Sequence, residues 1–217
     1  MVNRGGNGME IQLEQVRPQD IEKRSFEIIT QELGERQLDP VQAPIIKRVI
    51  HTTADFDYAD SLYFSPDAVE KARAALRNGA WIVTDTQMAW SGINKKSLAR
   101  FGGEAVCFMA QEDVAQEAAQ RGITRAMVSM ERAARLPHPV IFAVGNAPTA
   151  LVRLCELMEE GTLRPELVIG VPVGFVNVVE AKEAVIRSGV PYIVARGRKG
   201  GSNVAAAICN ALLYGMD

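Results

Sequence analysis

Residues 140–158 have the sequence VIFAVGNAPTALVRLCELM and carry the clearest structural signal in the chain. Five consecutive apolar residues, 140–144, end at a glycine and are typical of a strand that is buried on both faces. Residues 145–149, GNAPT, predict a turn whose proline suits the first turn of a helix. Apolar residues then recur at helical spacing through residue 158, and a second apolar run follows at 167–169. This order predicts two parallel strands joined by a helix.

The same alternation of short apolar runs and longer periodic segments extends over most of the chain. The predicted strands are residues 62–64, 81–83, 105–108, 140–144, 167–169 and 192–194. The predicted helices are residues 66–76, 113–120, 124–135, 149–158, 178–188 and 203–213. We therefore predict an α/β fold with three layers, in which a mostly parallel central sheet is covered by helices on both faces.

Two N-terminal helices are predicted before the sheet begins. The first covers residues 18–33, where apolar residues follow helical spacing and Gly34 suits the end of the helix. The second is expected to begin at Asp39 as its N-cap, with Pro40 in its first turn, and to run to His51.

Length and composition indicate one domain and a reducing compartment. At 217 residues and 47% apolar content, the chain is long enough to bury a full core. Residues 1–9 are rich in glycine and asparagine, so we expect a flexible leader followed by a single α/β domain at residues 10–217. No signal peptide or membrane-spanning run is recognisable, and three widely spaced cysteines show no metal or disulfide pattern. We expect a cytoplasmic protein.

The net charge of the chain argues against nucleic acids and membranes as partners. The formal net charge is -2 and the pI is near 5.8, which gives no general attraction to nucleic acid or to anionic membranes. Any anion must therefore be bound by a local cluster of cations. We expect a small-molecule site, with no nucleic-acid or membrane partner.

Ligands of open α/β sheets bind beyond the carboxyl ends of the strands, where loops lead into helices. Four such loops hold glycine or polar residues: residues 84–86, 145–149, 170–174 and 196–202. Asp85 lies in the first loop and Asn146 in the second, and both are candidate substrate contacts. Glycine and proline after a strand are also ordinary turn residues, which is the alternative interpretation of these loops.

The loop at residues 196–202 has the strongest predicted affinity for an anion. Arg196, Arg198 and Lys199 alternate with glycines just before a predicted helix, whose free N–H groups also attract anions. Arginine suits carboxylates in particular because it can form two parallel hydrogen bonds. A solvated turn with incidental charge is the alternative. The spacing of a P-loop and of a dinucleotide-binding motif is missing, so nucleotide binding has no support.

A second candidate site lies at the end of the helix that contains His51. Lys47 and Arg48 precede this histidine by four and three residues, so the three side chains can share one helix face. Such a face could bind an acidic group and deliver a proton. A histidine at a helix end more often has a structural role, and spacing alone favours that interpretation. The aspartates that follow lack the pattern of a calcium loop, and we expect no protein-bound metal.

Taken together, these segments resemble the precorrin-8X and cobalt-precorrin-8 methylmutase family over nearly the whole chain after the leader. The resemblance is carried by Arg24-Ser25-Phe26, Arg48-Val49-Ile50-His51, Phe64-Ser65-Pro66, Thr84-Asp85, Gly145-Asn146-Ala147-Pro148-Thr149, Pro172-Val173-Gly174-Phe175-Val176 and Arg196-Gly197-Arg198 with Gly200-Gly201-Ser202. Each segment alone is a weak signal, whereas their order and spacing together are specific.

The resemblance implies a homodimeric isomerase that moves a methyl group from C-11 to C-12 of a corrinoid ring without a separate methyl donor. It implies that His51 is the catalytic general acid and that Ser25 and Arg48 contact the substrate. Arg125 resembles a further carboxylate partner. Arg196, Arg198 and Lys199 extend this set on the anion argument, with a dimer interface as their alternative role.

The segment after His51, residues 52–59, is more similar to the cobalt-dependent branch of the family than to the aerobic branch. The resemblance therefore implies cobalt-precorrin-8 as substrate, with cobalt held in the substrate and no cofactor bound by the protein. Two other functions stay open at this point. One is a corrinoid carrier on the same scaffold, and the other is a nucleotide-binding module that uses the loop at 196–202.

Overall fold

The computed structural model describes residues 14–216. Within this range the strands are β1 Leu62–Phe64, β2 Trp81–Thr84, β3 Ala105–Val106, β4 Val140–Val144, β5 Leu167–Gly170 and β6 Tyr192–Ala195. They form one sheet in the order β1-β6-β5-β4-β2-β3. β1 is antiparallel to β6 at one edge, and all other neighbours are parallel. The predicted strands are all present, although β3 ends two residues earlier than expected.

Eleven α-helices pack around this sheet in the described range. They are α1 Ile21–Leu33, α2 Ala43–Thr53, α3 Tyr58–Ser61, α4 Ala68–Arg77, α5 Gln87–Gly92, α6 Lys95–Ala99, α7 Glu112–Arg121, α8 Arg125–Ala133, α9 Pro148–Glu159, α10 Val178–Arg187 and α11 Ser202–Tyr214. A short 3-10 helix, Pro18–Asp20, precedes α1. No helix in residues 14–216 combines the length and the apolar character needed to cross a bilayer.

The two faces of the sheet bury different sets of helices. In β4, Ile141 and Ala143 pack into one apolar cluster with α1, α2, α4 and α11. Phe142 and Val144 point to the other face and join a cluster with α8, α9 and α10. All four side chains are fully buried, which explains the unbroken apolar sequence of this strand. The predicted three-layer α/β fold is confirmed.

Helix α2 packs against α11, and this contact positions the candidate site. Ile45, Ile46, Val49 and Ile50 form the buried stripe of α2. The facing part of α11 is rich in alanine, so the two helix backbones can approach closely. Burying one isoleucine or valine of this stripe stabilises the fold by about 1.5–3 kcal/mol.

The start of α2 differs from the prediction. The helix begins at Ala43, with Pro44 in its first turn, and Asp39 is therefore not its N-cap. The Asp39 carboxylate instead accepts hydrogen bonds from the backbone N–H groups of Val41 and Gln42, at 2.8 and 3.2 Å. These bonds stabilise a turn before the helix, which is a common use of an aspartate ahead of proline. The predicted leader at residues 1–9 lies outside the described residues, and the division into leader and domain stays a prediction.

Candidate functional site

His51 lies in the last turn of α2 with its side chain exposed. The helix stops at Ala54, whose left-handed backbone has a φ of 54° and whose N–H donates to the carbonyl of Ile50 at 2.7 Å. The imidazole stacks on Phe26 of α1, with 5.3 Å between ring centroids and 16° between ring planes. Stacking holds the plane of the imidazole, and no described residue bonds to its nitrogens. Both nitrogens are therefore available for a bond to water or to a ligand.

A cavity of about 1020 Å³ opens beside His51. Its walls come from the 3-10 helix, α1, α2 and the end of α11, and include Pro18, Ile21, Glu22, Lys23, Phe26, Arg48, His51 and Tyr214. This volume lies at the upper end of the range for small-molecule sites. Aromatic rings, apolar side chains and two cations in one wall suit a large flat ligand that carries negative charge.

Arg48 is the best-placed cation of this cavity. Its guanidinium lies 4.8 Å from the ring centroid of Phe26 and 5.3 Å from that of Tyr214. It also forms an ion pair with Glu22 of α1. Only about a fifth of the Arg48 side chain is exposed, whereas more than half of Glu22 is in solvent. The cation is thus fixed by packing, and its carboxylate partner is the more easily displaced of the two.

A smaller hollow of about 290 Å³ continues from the cavity along α11. Arg48 and Tyr214 line both spaces, and Thr52, Asn203 and Asn210 complete the hollow. Arg48 and Tyr214 thus lie at the border of both spaces. A ligand larger than the main cavity could therefore extend over Arg48 toward the N-terminal end of α11.

Ser25 and Lys47 lie near this cavity but outside its lining. The Ser25 hydroxyl donates to the carbonyl of Ile21 at 3.0 Å, within α1. Lys47 donates to the hydroxyl of Thr30 at 3.0 Å and lines a separate pocket of about 500 Å³. Lys47 therefore lies outside the lining of the cavity that holds Arg48 and His51. Lys47 and His51 both contact α1, at Thr30 and at Phe26, one helical turn apart.

Asp85 has a structural position in this chain. Its side chain is fully buried, and its two carboxylate oxygens accept hydrogen bonds from the backbone N–H groups of Gly145, Asn146 and Ala147, at 2.8, 2.8 and 2.6 Å. Burial raises the pKa of this carboxyl, and the three N–H bonds act in the opposite direction. Because β2 and β4 are neighbours, Asp85 can organise the loop after β4 through these three hydrogen bonds. This arrangement gives Asp85 a structural role, and its predicted contact with substrate stays a prediction.

Asn146 and Arg125 are both exposed and lie at the ends of neighbouring elements. Arg125 is the first residue of α8, and the hydroxyl of the preceding Thr124 contacts that of Thr149 in α9 at 3.0 Å. The start of α8 therefore lies beside the loop that contains Asn146. Neither residue lines the cavity beside His51.

The loop after β6 has fewer unpaired cations than the predicted anion site, because carboxylates of the same chain bind two of them. Arg196 forms a two-pronged ion pair with Glu183 of α10, at 2.7 and 2.9 Å. Lys199 donates to the carboxylates of Asp55 and Asp57, at 2.6 Å each. Lys199 lowers the pKa of Asp55 in return. Two of the three predicted cations are thus neutralised within the chain.

Arg198 is the remaining cation of this loop. Its guanidinium lies 5.4 Å from the ring centroid of Phe175, and the described residues offer it no carboxylate. Phe175 itself is 81% exposed. This pair forms an open aromatic and cationic surface at the carboxyl edge of the sheet.

Comparison with known proteins identifies the family to which the chain belongs. The sequence profile of the precorrin-8X methylmutase family matches residues 20–215. The chain belongs to the precorrin-8X methylmutase family. Its members are methylmutases, which are isomerases of cobalamin biosynthesis.

Individual relatives give the same result. A cobalt-precorrin-8 methylmutase of Salmonella typhimurium is 51% identical over 91% of this chain and 95% of its own length. One from Priestia megaterium is 46% identical over 91% of this chain and 88% of its own. A crystal structure of a precorrin-8X methylmutase from Thermus thermophilus is 42% identical, covers 90% of this chain and 96% of its own, and superposes with a TM-score of 0.82. The family and the fold are therefore established together.

Sequence reasoning missed two residues that the structure brings to the site and one buried lysine outside it. Glu22 and Tyr214 contact Arg48 from helices at opposite ends of the chain, and no local pattern indicates that contact. Lys182 is different, because it occupies a core-facing position of α10 between Ala181 and Val185. A lysine on an apolar stripe is a signal that could have been recognised from helical spacing.

Proposed function

We propose that this chain moves a methyl group from C-11 to C-12 of a precorrin-8 macrocycle, with cobalt-precorrin-8 as the substrate. The single observation that carries the proposal is the presence of His51 and Arg48 in one large cavity with aromatic walls. The names of the most similar relatives support the cobalt form. Cobalt enters as part of the substrate in this proposal, and no cofactor is assigned to the protein.

In the proposed reaction His51 is the general acid. Moving a methyl group between neighbouring ring carbons redistributes charge in the macrocycle, and protonation of a ring nitrogen stabilises that change. Histidine can supply such a proton near neutral pH. Because the reaction is an isomerisation, the proton must return to the imidazole, and none is consumed. A well-placed proton donor of this kind typically accelerates a reaction by about 10²–10⁴-fold.

Arg48 would hold one of the acetate or propionate side chains of the macrocycle. Glu22 already shows which group the guanidinium binds in this geometry, namely a carboxylate that accepts its hydrogen bond. A substrate carboxylate would take over that position, and Glu22, which is more than half exposed, would turn into solvent. Ser25, Arg125, Asn146 and Arg198 stay further candidates for contacts with the substrate.

We further propose that the protein is a cytoplasmic homodimer. Support for the dimer comes from exposed apolar side chains at the carboxyl edge of the sheet, where Phe175 and Val176 are 81% and 77% exposed. Isolated exposed residues are common, but two large apolar neighbours on one loop suit a protein interface. Arg198, which packs on Phe175 in this region, would then serve either the substrate or this interface.

The decisive experiment compares His51→Ala with His138→Ala. His138 is the only other histidine and stacks on Trp81, with 4.4 Å between ring centroids, just before β4. The purified variants are mixed with precorrin-8 in its cobalt and metal-free forms, and the visible spectrum is followed. We expect His51→Ala to lose turnover while it still binds pigment, and His138→Ala to retain turnover. Normal turnover by His51→Ala would contradict the assigned role.

A corrinoid carrier on the same scaffold is the competing function, because a cavity of this size could also retain pigment. Single-turnover absorption followed by extraction of the pigment separates the two functions. A carrier changes the spectrum on mixing but returns the pigment chemically unchanged, whereas an isomerase returns a rearranged macrocycle.

A further inference from the structure

Lys182 is a fully buried lysine that the reaction described above does not use. It lies on the inner stripe of α10 with Val178, Ala181 and Val185, and its side chain is 0% exposed. Lysine is rarely buried to this extent unless its charge has a partner. The described chain gives it no carboxylate. Its Nζ instead donates to the carbonyls of Gly197 and Lys199, at 2.8 Å each.

Both acceptors belong to the loop after β6, which has little freedom to move. Gly197 has a φ of +78°, and a Cβ on Gly200 would lie 2.1 Å from the carbonyl oxygen of Val171. Gly201 donates to that same carbonyl at 2.9 Å, so the loop lies directly on the loop after β5. Lys182 satisfies two carbonyls on the inner side of this packed backbone, and burial lowers the pKa of its ammonium to about 8.

The same loop is connected to the helix that carries His51. The Lys199 carbonyl is one of the two groups that Lys182 binds. The ammonium of Lys199 in turn binds Asp55 and Asp57, just after the end of α2. Asp55 is four residues beyond His51. The contacts therefore run without interruption from Lys182, through the loop backbone and the Lys199 side chain, to the C-terminal end of α2.

We propose that Lys182 is a positioning residue, which holds the loop after β6 so that Lys199 can clamp the end of α2 and fix the orientation of His51. The consequence for catalysis rests on the proposed role of His51. The mechanical connection between Lys182 and His51 does not depend on it, and the two can be tested separately.

The first test observes the imidazole directly. The chain has two histidines, so a sample labelled with ¹⁵N-histidine gives one ring for His51 and one for His138, assigned with His51→Gln. We expect Lys182→Met to shift and broaden the ring signals of His51 and to leave those of His138 in place. Lys199→Met should move the His51 signals in the same way. Lys71→Met, at an exposed lysine of α4, is the matched control and should change neither ring.

The second test is kinetic and uses the full-length enzyme with its corrinoid substrate. We expect Lys182→Met to lower kcat about tenfold to a hundredfold, since a small displacement of a catalytic group costs about that much. The KM should change by less than about threefold, because Lys182 lines no part of the cavity. The double variant with Lys199→Met should be about as slow as the slower single variant, because both substitutions break one connection.

The proposal is overturned if the His51 signals of Lys182→Met match those of the wild type, or if the two substitutions lower kcat independently. Should Lys182→Met fail to fold, Lys182→Gln replaces it, because its amide keeps two N–H donors on a shorter side chain. Lys199→Met changes only an exposed side chain and must still move the His51 signals, so unchanged signals there also overturn the proposal. An inactive wild-type enzyme would reject the proposed function, and the labelling experiment would still test the connection.

Discussion

Replacing Asp85 by asparagine tests whether this residue organises the loop after β4 or binds substrate. The carboxylate accepts three backbone N–H groups, two of them on one oxygen. An asparagine amide has one oxygen and one NH₂ group, so at least one backbone donor faces another donor. A hydrogen bond to a charged group contributes about 1.5–3 kcal/mol, and an unpaired buried donor adds its own cost. We expect Asp85→Asn to lower the free energy of unfolding by about 3–5 kcal/mol.

The assay is urea unfolding followed by circular dichroism, with Asp60→Asn as the control. Asp60 is an exposed carboxylate that pairs with Arg36 at 2.9 Å, and its replacement should cost less than about 1 kcal/mol. Under conditions where Asp85→Asn is folded, its KM for the corrinoid should match that of the wild type, because KM does not depend on the amount of folded enzyme. Wild-type stability combined with a large increase in KM would refute the structural role and restore Asp85 as a substrate contact.

Two further predictions concern charged groups whose partners are visible in the structure. Glu22→Gln removes the carboxylate that competes for Arg48, so the KM for a polycarboxylate substrate should fall by up to about fivefold. Glu27→Gln on the same helix is the control and should leave the KM unchanged. An increase in the KM of Glu22→Gln would contradict the replacement of Glu22 by a substrate carboxylate. For Lys182, the folded pKa of about 8 lies below the ordinary 10.5. Above pH 8 the unfolded chain therefore holds more of this proton than the folded protein, and the free energy of unfolding should rise with pH until about 10.5. Relative to Lys182→Met, the free energy of unfolding of the wild type should increase by about 3 kcal/mol over this pH range, measured by urea unfolding at each pH. A difference between the two proteins that does not change with pH would reject the burial of a charged lysine.

The sheet and its covering helices could be predicted because their signals are local. The unbroken apolar run of β4 reflects burial on both faces, and the periodicity of α9 and α10 reflects burial on one. The start of α2 was predicted incorrectly because Asp39 and Pro40 suit a turn as well as a helix start. The short helices α5 and α6 have too few residues to show a period.

The candidate site was only partly accessible from the sequence. Helical spacing indicated that Arg48 and His51 could act together, and the cavity brings them together. The partners of other charged residues come from distant segments, as with Lys199 and Asp55, which are 144 residues apart. A sequence shows the charges of the loop after β6, but only the fold shows that carboxylates of α10 and of the chain after α2 neutralise two of them.

This neutralisation changes which surface can attract an anionic macrocycle. If Arg196, Arg198 and Lys199 were all free, the carboxyl edge of the sheet would be the most cationic part of the molecule. With Arg196 and Lys199 paired, the cavity between α1, α2 and α11 offers Arg48, which is fixed by packing and whose partner Glu22 is more than half exposed. The paired cations instead connect the loop to two other elements: Arg196 binds Glu183 of α10, and Lys199 binds Asp55 just after α2. In the proposed function, anion binding and the positioning of His51 fall to different cations, so one local cluster would be sufficient for a chain with a net charge of -2 to bind an anionic substrate.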